Sequence, residues 1–280
     1  VTARSGSGRA VILHARRAVV IAASTVQTPN LLRRSGVRSP ALGRHFQAHP
    51  ALALGGLFDR PITMAFGATQ GAESIHFRRS DRFKLETISL PPDLAAARVP
   101  GVGAELAERL ASLPNVAVWA AVVRAKAEGA VSEGLGGADR VRWTMTDDDV
   151  RVARRAAALI ARMLFEAGAR EVWPGVHGIP GVLRSIDEVA LLEEAPLDPR
   201  SYAVIASHLF GAARMGVDPR ASVVDPSFRV HGAAGLYVTD SSVFPTNLGV
   251  NPQHTIMAMS RLAASGLAER LLDRASRGLT

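Results

Sequence analysis

The chain has 280 residues, 48% of them hydrophobic, and a formal charge of +8, enough material for a buried core in one large or two modest domains. Zero cysteines exclude disulfides, thiolate metal sites and cysteine nucleophiles. The positive charge is scattered arginine, with Lys84 and Lys126 the only lysines; no basic run marks a nucleic-acid face, and charge interrupts every apolar run before the roughly 18 residues that a membrane span needs.

The first residues, VTARSGSGRA, lack a methionine and enter a strand pattern at once. We read the chain as the interior of a longer protein, with the cytoplasm as the expected compartment. AVILHARRAVVIAA holds two short β-branched runs, and Val19-Val20-Ile21 reads as a buried strand. Ser24 or Thr25 is placed to cap a short helix over TPNLLRRSGV that ends at Gly36. A strand leading at once into a capped helix is the α/β unit that offers a helix N-terminus to a phosphate or ribose.

From Ala51 to about Ser201 the texture changes. ALALGGLF, ESIHF, FKLETISL and NVAVWAAVV alternate with loops rich in proline and glycine, and read as antiparallel strands of a second unit. AKAEGAVSEGLGGADRVRW reads as a long hairpin. TDDDVRVARRAAALIARMLFEAGAREVW is the clearest helix, capped by Thr146 or Asp147, with three aspartates at the positive end of its dipole and Gly168 closing it. Those aspartates serve the helix rather than a metal.

The last eighty residues carry the chemistry-bearing pattern. ASHLFGAARMG sets His208 ahead of a loop with two glycines. Leu236-Tyr237-Val238 is strand-like and ends in Asp240. PTNLGVNPQHTIMAMS then opens a helix whose apolar face is Ile256, Met259, Ala263, Leu267 and Leu271, with Arg270, Arg274 and Arg277 at its negative end. Read locally, Asn251 is an N-cap and Pro252 takes the first helical position. Met257 and Met259 read as packing residues, and His254 as a polar first-turn residue. His45 and His49, four apart, suggest a metal pair, but no third ligand of convincing spacing accompanies them, so no metal is expected.

In order, His208, Met215-Gly216, Val224-Asp225-Pro226, Asp240-Ser241, Pro245 and Asn251-Pro252-x-x-Thr255-Ile256 resemble the C-terminal signature of the glucose–methanol–choline flavoprotein oxidoreductases. STVQTPNLLRRSGV resembles that family's second signature, and LGRHFQAHP its V-G-x-N-L-Q-D-H-P. Ser24 stands where the family usually has glycine, as does Arg38; His45 and Ala48 stand for Asn and Asp. The G-x-G-x-x-G turn that holds a cofactor pyrophosphate is not among these residues.

The resemblance implies an α/β fold, α+β overall, in which a partial FAD-binding domain without its nucleotide-binding Rossmann half accompanies an antiparallel-sheet substrate domain. Residues 1–50 and 201–280 would belong to the FAD-binding part and 51–200 to the substrate-binding part. It further implies oxidation of a small-molecule alcohol by hydride transfer to FAD, with His208 as base and Asn251 holding the substrate oxygen. Asn251, Pro252 and Gln253 would face the flavin's pyrimidine side, Asp240 and Ser241 the ribityl and pyrophosphate, and Ala23 the adenosine ribose. The electron acceptor stays open between oxygen, a quinone and a protein. A lyase on the same scaffold and a non-catalytic remnant are the competing readings, and residues 1–280 by themselves are expected to be inactive.

Overall fold

The computed structural model describes residues 1–64, 66 and 68–276. Strands β1 (Thr2–Arg4) and β2 (Ala10–Ile12) form an antiparallel hairpin that the sequence reading did not assign. Strand β3 (Val19–Ile21) leads into α1 (Ser24–Arg34). This helix starts a full turn earlier than expected, with Pro29 inside it and Ala23 rather than Ser24 or Thr25 at the cap. The threonine hydroxyls are engaged elsewhere: Thr25 donates to the Leu209 carbonyl and Thr28 to Asp240.

The substrate-side unit is built on β4 (Gln47–Leu57), β5 (Glu73–Ser74), β6 (Phe83–Thr87) and β7 (Val116–Val123), with the short helices α2 (Pro92–Ala96) and α3 (Gly103–Ala111) between β6 and β7. ESIHF is a strand only over its first two residues, because the chain then turns so that the Phe77 ring stacks on Phe83 at 5.1 Å. The hairpin β8 (Ala130–Glu133) and β9 (Asp139–Arg142) follows as expected.

Helix α4 (Asp147–Glu166) carries a capping box between Thr146 and Asp149, an arrangement worth about 1 kcal/mol. Asp149 is fully buried and also accepts the Lys126 and Ala127 amides at 2.8 and 3.0 Å, so the acidic N-terminus anchors the helix to the loop after β7. After α4 come β10 (Glu171–Trp173), α5 (Ala190–Glu193), β11 (Val204–Phe210), β12 (Leu236–Val238) and α6 (Gln253–Ser276).

Strands β10, β4, β7, β6 and β5 pair in that order and β11 also pairs with β4, giving a six-stranded antiparallel sheet. Alternation sends successive side chains to opposite faces. Leu52, Leu54, Phe83, Leu85, Ala121 and Val123 face α4, whose Ala153, Ala156, Ala157, Ile160 and Leu164 complete the main core. The alanines let helix and sheet approach closely: a side chain on Gly56 would come within 2.9 Å of Leu164.

A second core joins β3, β12, α1 and α6. There β3 and β12 run parallel, Val19 opposite Leu236 and Ile21 opposite Val238, the part of an α/β nucleotide-type sheet that this chain contributes. Met259, Ala263 and Leu267 of α6 pack on this core as expected. Met257 instead projects to solvent, 61% exposed, because it lies off that face. Arg270 sits over the Tyr237 ring at 5.6 Å; the Arg274 side chain and Arg277 lie outside the described residues.

Candidate active site

The face of the large sheet turned away from α4 carries polar residues at one end. Register assigns its rungs: His208 of β11 lies opposite His49 of β4; Ala51 pairs with Val122 and that with Lys84; Ala53 pairs with Ala120 and that with Glu86; Gly55 pairs with Val118 and Trp173. His208 therefore sits near the end of a strand, ahead of the loop that begins at Gly211. β11 pairs with β4 on either side of an irregularity between Ile205 and His208, and such irregularities re-aim side chains next to functional sites.

His49 is 1% exposed and meets His208 edge to face, ring centroids 5.6 Å apart. Its Nε2 accepts the Gly249 amide at 2.9 Å, which only a neutral ring can do while keeping its proton on Nδ1. Burial, then the neighbouring His208, then Lys84 and Arg124 push its pKa down to about 3, against a pull upward from Asn247. The His208 pKa is lowered too, chiefly by burial and also by Lys84, while Glu86 pulls it back up. At neutral pH His208 is thus mostly the free base, and the charge of Glu86 favours the imidazolium formed when it takes a proton.

Lys84 is 1% exposed and donates to Glu86 at 2.6 Å and to Glu73 at 2.9 Å. Glu86 Oε2 also accepts the Asn251 side-chain amide at 3.3 Å. Asn251 therefore does not cap α6: its Oδ1 is buried without a hydrogen-bond partner, and the helix begins at Gln253, its first turn closed by Ile256 N–H to the Pro252 carbonyl at 2.8 Å. The carboxylate only accepts, so it holds the side chain by its amide nitrogen and fixes an orientation in which the oxygen does not reach the helix N–H groups.

The segment ahead of α6 is fixed at alternate residues. The Asn247 amide donates to Gln47 at 2.8 Å, that of Gly249 to His49, and the Asn251 side chain to Glu86. Gly249 has φ 67°, and a side chain there would strike Arg124 at 2.9 Å. PTNLGVN is a rigid backbone seated on the sheet's polar end.

The residues assigned to the cofactor gather at the C-terminal ends of β3 and β12. Asp240 accepts the Ser24 amide at 3.1 Å, the Thr28 hydroxyl at 2.5 Å and the Ser242 amide at 2.9 Å. Ser241 Oγ lies 2.7 Å from Thr25 Oγ1, and the Ala23 amide donates to Thr28 at 3.2 Å. Pro252 is buried, whereas Gln253 and His254 are exposed at the start of α6. Ser24 has φ 86° and His45 φ 58°. Two of the four departures from the family pattern thus fall on left-handed backbone, where glycine or asparagine is less strained.

An FAD fits this arrangement. The ends of parallel strands beside a helix N-terminus suit a nucleotide, and the N–H groups of Gln253, His254 and Thr255, ahead of the first helical bond, are free for an electron-rich ring edge. Among the described residues no three histidine, aspartate or glutamate side chains cluster as a metal site would. His45 binds Glu128 at 2.8 Å instead. No helix among them is long and apolar enough to cross a membrane. Sequence reasoning missed Lys84 and Glu86. Their signal was FKLET, whose polar positions alternate with core residues and look solvent-facing until the far face proves covered.

Two family models, both described as GMC oxidoreductase, match residues 1–51 and 136–260. An uncharacterized GMC-type oxidoreductase of Mycobacterium tuberculosis is 38% identical over 271 residues, covering 92% of this chain and 42% of that protein. A long-chain-alcohol oxidase of Arabidopsis thaliana is 28% identical over 280 residues, covering 92% of this chain and 36% of the oxidase. The chain spans less than half the length of these two relatives. A formate oxidase from Aspergillus oryzae superposes with a TM-score of 0.72 at 17% identity, covering 97% of this chain and 57% of that one. That likeness is one of fold.

Proposed function

From the premise that the chain belongs to the GMC oxidoreductase family, we propose that it carries the catalytic half of an FAD-dependent enzyme oxidising an alcohol at its CH–OH carbon. The observation that carries this reading is the convergence of His208 and Asn251. Forty-three positions apart in sequence, both answer to one carboxylate on the same sheet: Glu86 bonds the Asn251 amide, and its charge raises the His208 pKa through space. The name of the plant relative accords with an alcohol donor.

In this reading the His208 imidazole removes the hydroxyl proton as the adjacent carbon loses hydride. Its depressed pKa keeps it unprotonated beforehand, and Glu86 stabilises its charge afterwards. The Asn251 amide, held from one side by Glu86, directs its second N–H at the substrate oxygen. Bound FAD supplies the hydride acceptor. Ala23, Asp240 and Ser241 would hold its ribose, ribityl and pyrophosphate portions, and Asn251, Pro252 and Gln253 its pyrimidine edge. The retention of both His208 and Asn251 favours oxidation over lyase chemistry.

Residues 1–280 by themselves are proposed to be inactive and poorly soluble. Val20 of the parallel pair is 48% exposed, over an apolar groove that runs between β12 and α6. A well-folded yellow monomer would overturn that statement. The catalytic assignment is tested by anaerobic stopped-flow reduction of the FAD-loaded enzyme and its His208→Ala variant at matched flavin content. The variant is expected to be slower by about 10²–10⁴; equal rates would remove His208 as the base.

A further inference from the structure

His208 and Asn251 have to address one substrate oxygen, yet among the described residues no hydrogen bond joins their side chains, and Glu86 bonds only the second of them. The residue that reaches both is His49. Its ring meets His208 edge to face at 5.6 Å and Phe210, from the same strand as His208, at 4.8 Å. Phe210 is fully buried, so the ring against which His208 lies is itself backed by a fixed neighbour. The Nε2 of His49 accepts the Gly249 amide at 2.9 Å. Gly249 precedes Asn251 by two residues, at most about 7 Å of chain.

The Nδ1 of His49 is buried without a hydrogen-bond partner, a cost that a side chain serving only to fill the core would avoid. Nor is His49 a second base. Its one lone pair is committed to Gly249, and its pKa of about 3 keeps the ring neutral. Neutral imidazole is the form that accepts an amide proton, so the link to Gly249 persists wherever His208 can act as base. The same stretch of chain is clamped by two arginines. Arg78 donates to the Leu248 carbonyl at 3.3 Å, and Arg124 occupies the place that a Gly249 side chain would take. Backbone held at this point carries the position of His49 onward to Asn251.

We propose that His49 is a positioning residue for the oxidation: its ring sets the place of the His208 imidazole, and its Nε2, through Gly249, the place of the Asn251 amide. The inference rests on the proposed alcohol oxidation and adds what keeps its two catalytic groups in register. Three replacements separate the two contacts. Phenylalanine keeps a ring against His208 and loses the acceptor. Glutamine brings a side-chain oxygen to about the place of Nε2 and loses the ring. Asparagine, one methylene shorter, loses both.

The test is anaerobic reduction of the FAD-loaded wild type, His49→Phe, His49→Gln and His49→Asn by butanol and by benzyl alcohol, at matched flavin content. The limiting rate should fall about tenfold in the Phe and Gln variants and about 100-fold in the Asn variant, with the half-saturating alcohol concentration within about threefold. An Asn variant as fast as the Gln variant, or a Phe variant as fast as the wild type, would overturn the role. If His49→Phe does not load flavin, the comparison of Asn with Gln decides alone. Hydrogen exchange over residues 247–251, read by mass spectrometry on the same holoenzymes, gives a readout independent of turnover: faster exchange in His49→Asn than in the wild type, with protection restored in His49→Gln. If neither alcohol reduces the wild-type flavin, the proposed reaction fails and the exchange judges the anchor, which equal exchange in the Asn and Gln variants would overturn.

Discussion

Asn251 donates its side-chain amide to Glu86, 3.3 Å away and 165 residues earlier in the chain. Because Lys84 and Glu73 complete the cluster, the amide orientation is set by charge rather than by the helix cap that its sequence context suggests.

Replacing Glu86 by Gln should free that orientation, since a glutamine can donate as well as accept. Flavin content should stay near normal, while reduction by the alcohol slows by about tenfold, the loss expected when a single hydrogen-bonded group is mispositioned. The pH profile adds a signature. Glu86 raises the pKa of His208 and Lys84 lowers it, so loss of the carboxylate should move the acid limb of flavin reduction to lower pH. His49, Arg124 and Glu73, the other titratable groups of the cluster, are unchanged in the variant. An unshifted limb would show that Glu86 does not act on His208.

The buried His49 makes the fold acid-sensitive. Its folded pKa of about 3 lies below the ordinary 6.5, so between those values the unfolded chain binds a proton that the native one refuses. Stability is therefore full above pH 6.5 and falls as the pH drops toward 3, by at most about 1.4 kcal/mol per unit. His208 is lowered as well and acts in the same direction. Urea titrations between pH 7 and 4 should show a decline that is shallower in His49→Gln, once its lower starting stability is taken into account. Identical slopes would rule out His49 as a source.

Asp240→Ala should lower flavin occupancy while leaving the chemistry of the remaining holoenzyme nearly intact. The carboxylate ties the start of α1 to the end of β12 through three donors, so the same change should destabilise the protein by roughly 2–3 kcal/mol. Flavin-to-protein absorbance ratios and denaturant midpoints measure the two effects separately. Full occupancy in the variant would remove Asp240 from the cofactor site.

Ser24→Gly should raise stability by about 0.5–1 kcal/mol, because relief of the left-handed strain exceeds the added entropy of glycine in the unfolded chain. The φ of 86° leaves a serine side chain unfavourably placed, and its hydroxyl makes only a 3.4 Å contact to the Gln27 amide. A lower thermal midpoint in the variant would show that this contact outweighs the strain.

Local signals were enough for much of the architecture. Thr146 and the acidic turn behind it mark the start of α4, and the alternation of ALALGGLF and NVAVWAAVV marks β4 and β7. Capping and period-two patterning act within a few residues and are legible there. The order of His208, Asp240, Asn251 and Pro252 likewise carried the family resemblance. What sequence could not supply was the partner across space. Alternation in FKLET separates Lys84 and Glu86 from Phe83 and Leu85 but does not say that both faces are covered. That depended on a segment more than a hundred residues later, which returns over the sheet and seats Asn251 on Glu86. Nothing local places His208 opposite His49 until β4 is present to pair with it, and Asn251 reads as a cap until a buried carboxylate fixes its side chain away from the helix end. Strand pairing and buried charge are non-local interactions, so only the folded chain decides which of two locally reasonable hydrogen bonds is made.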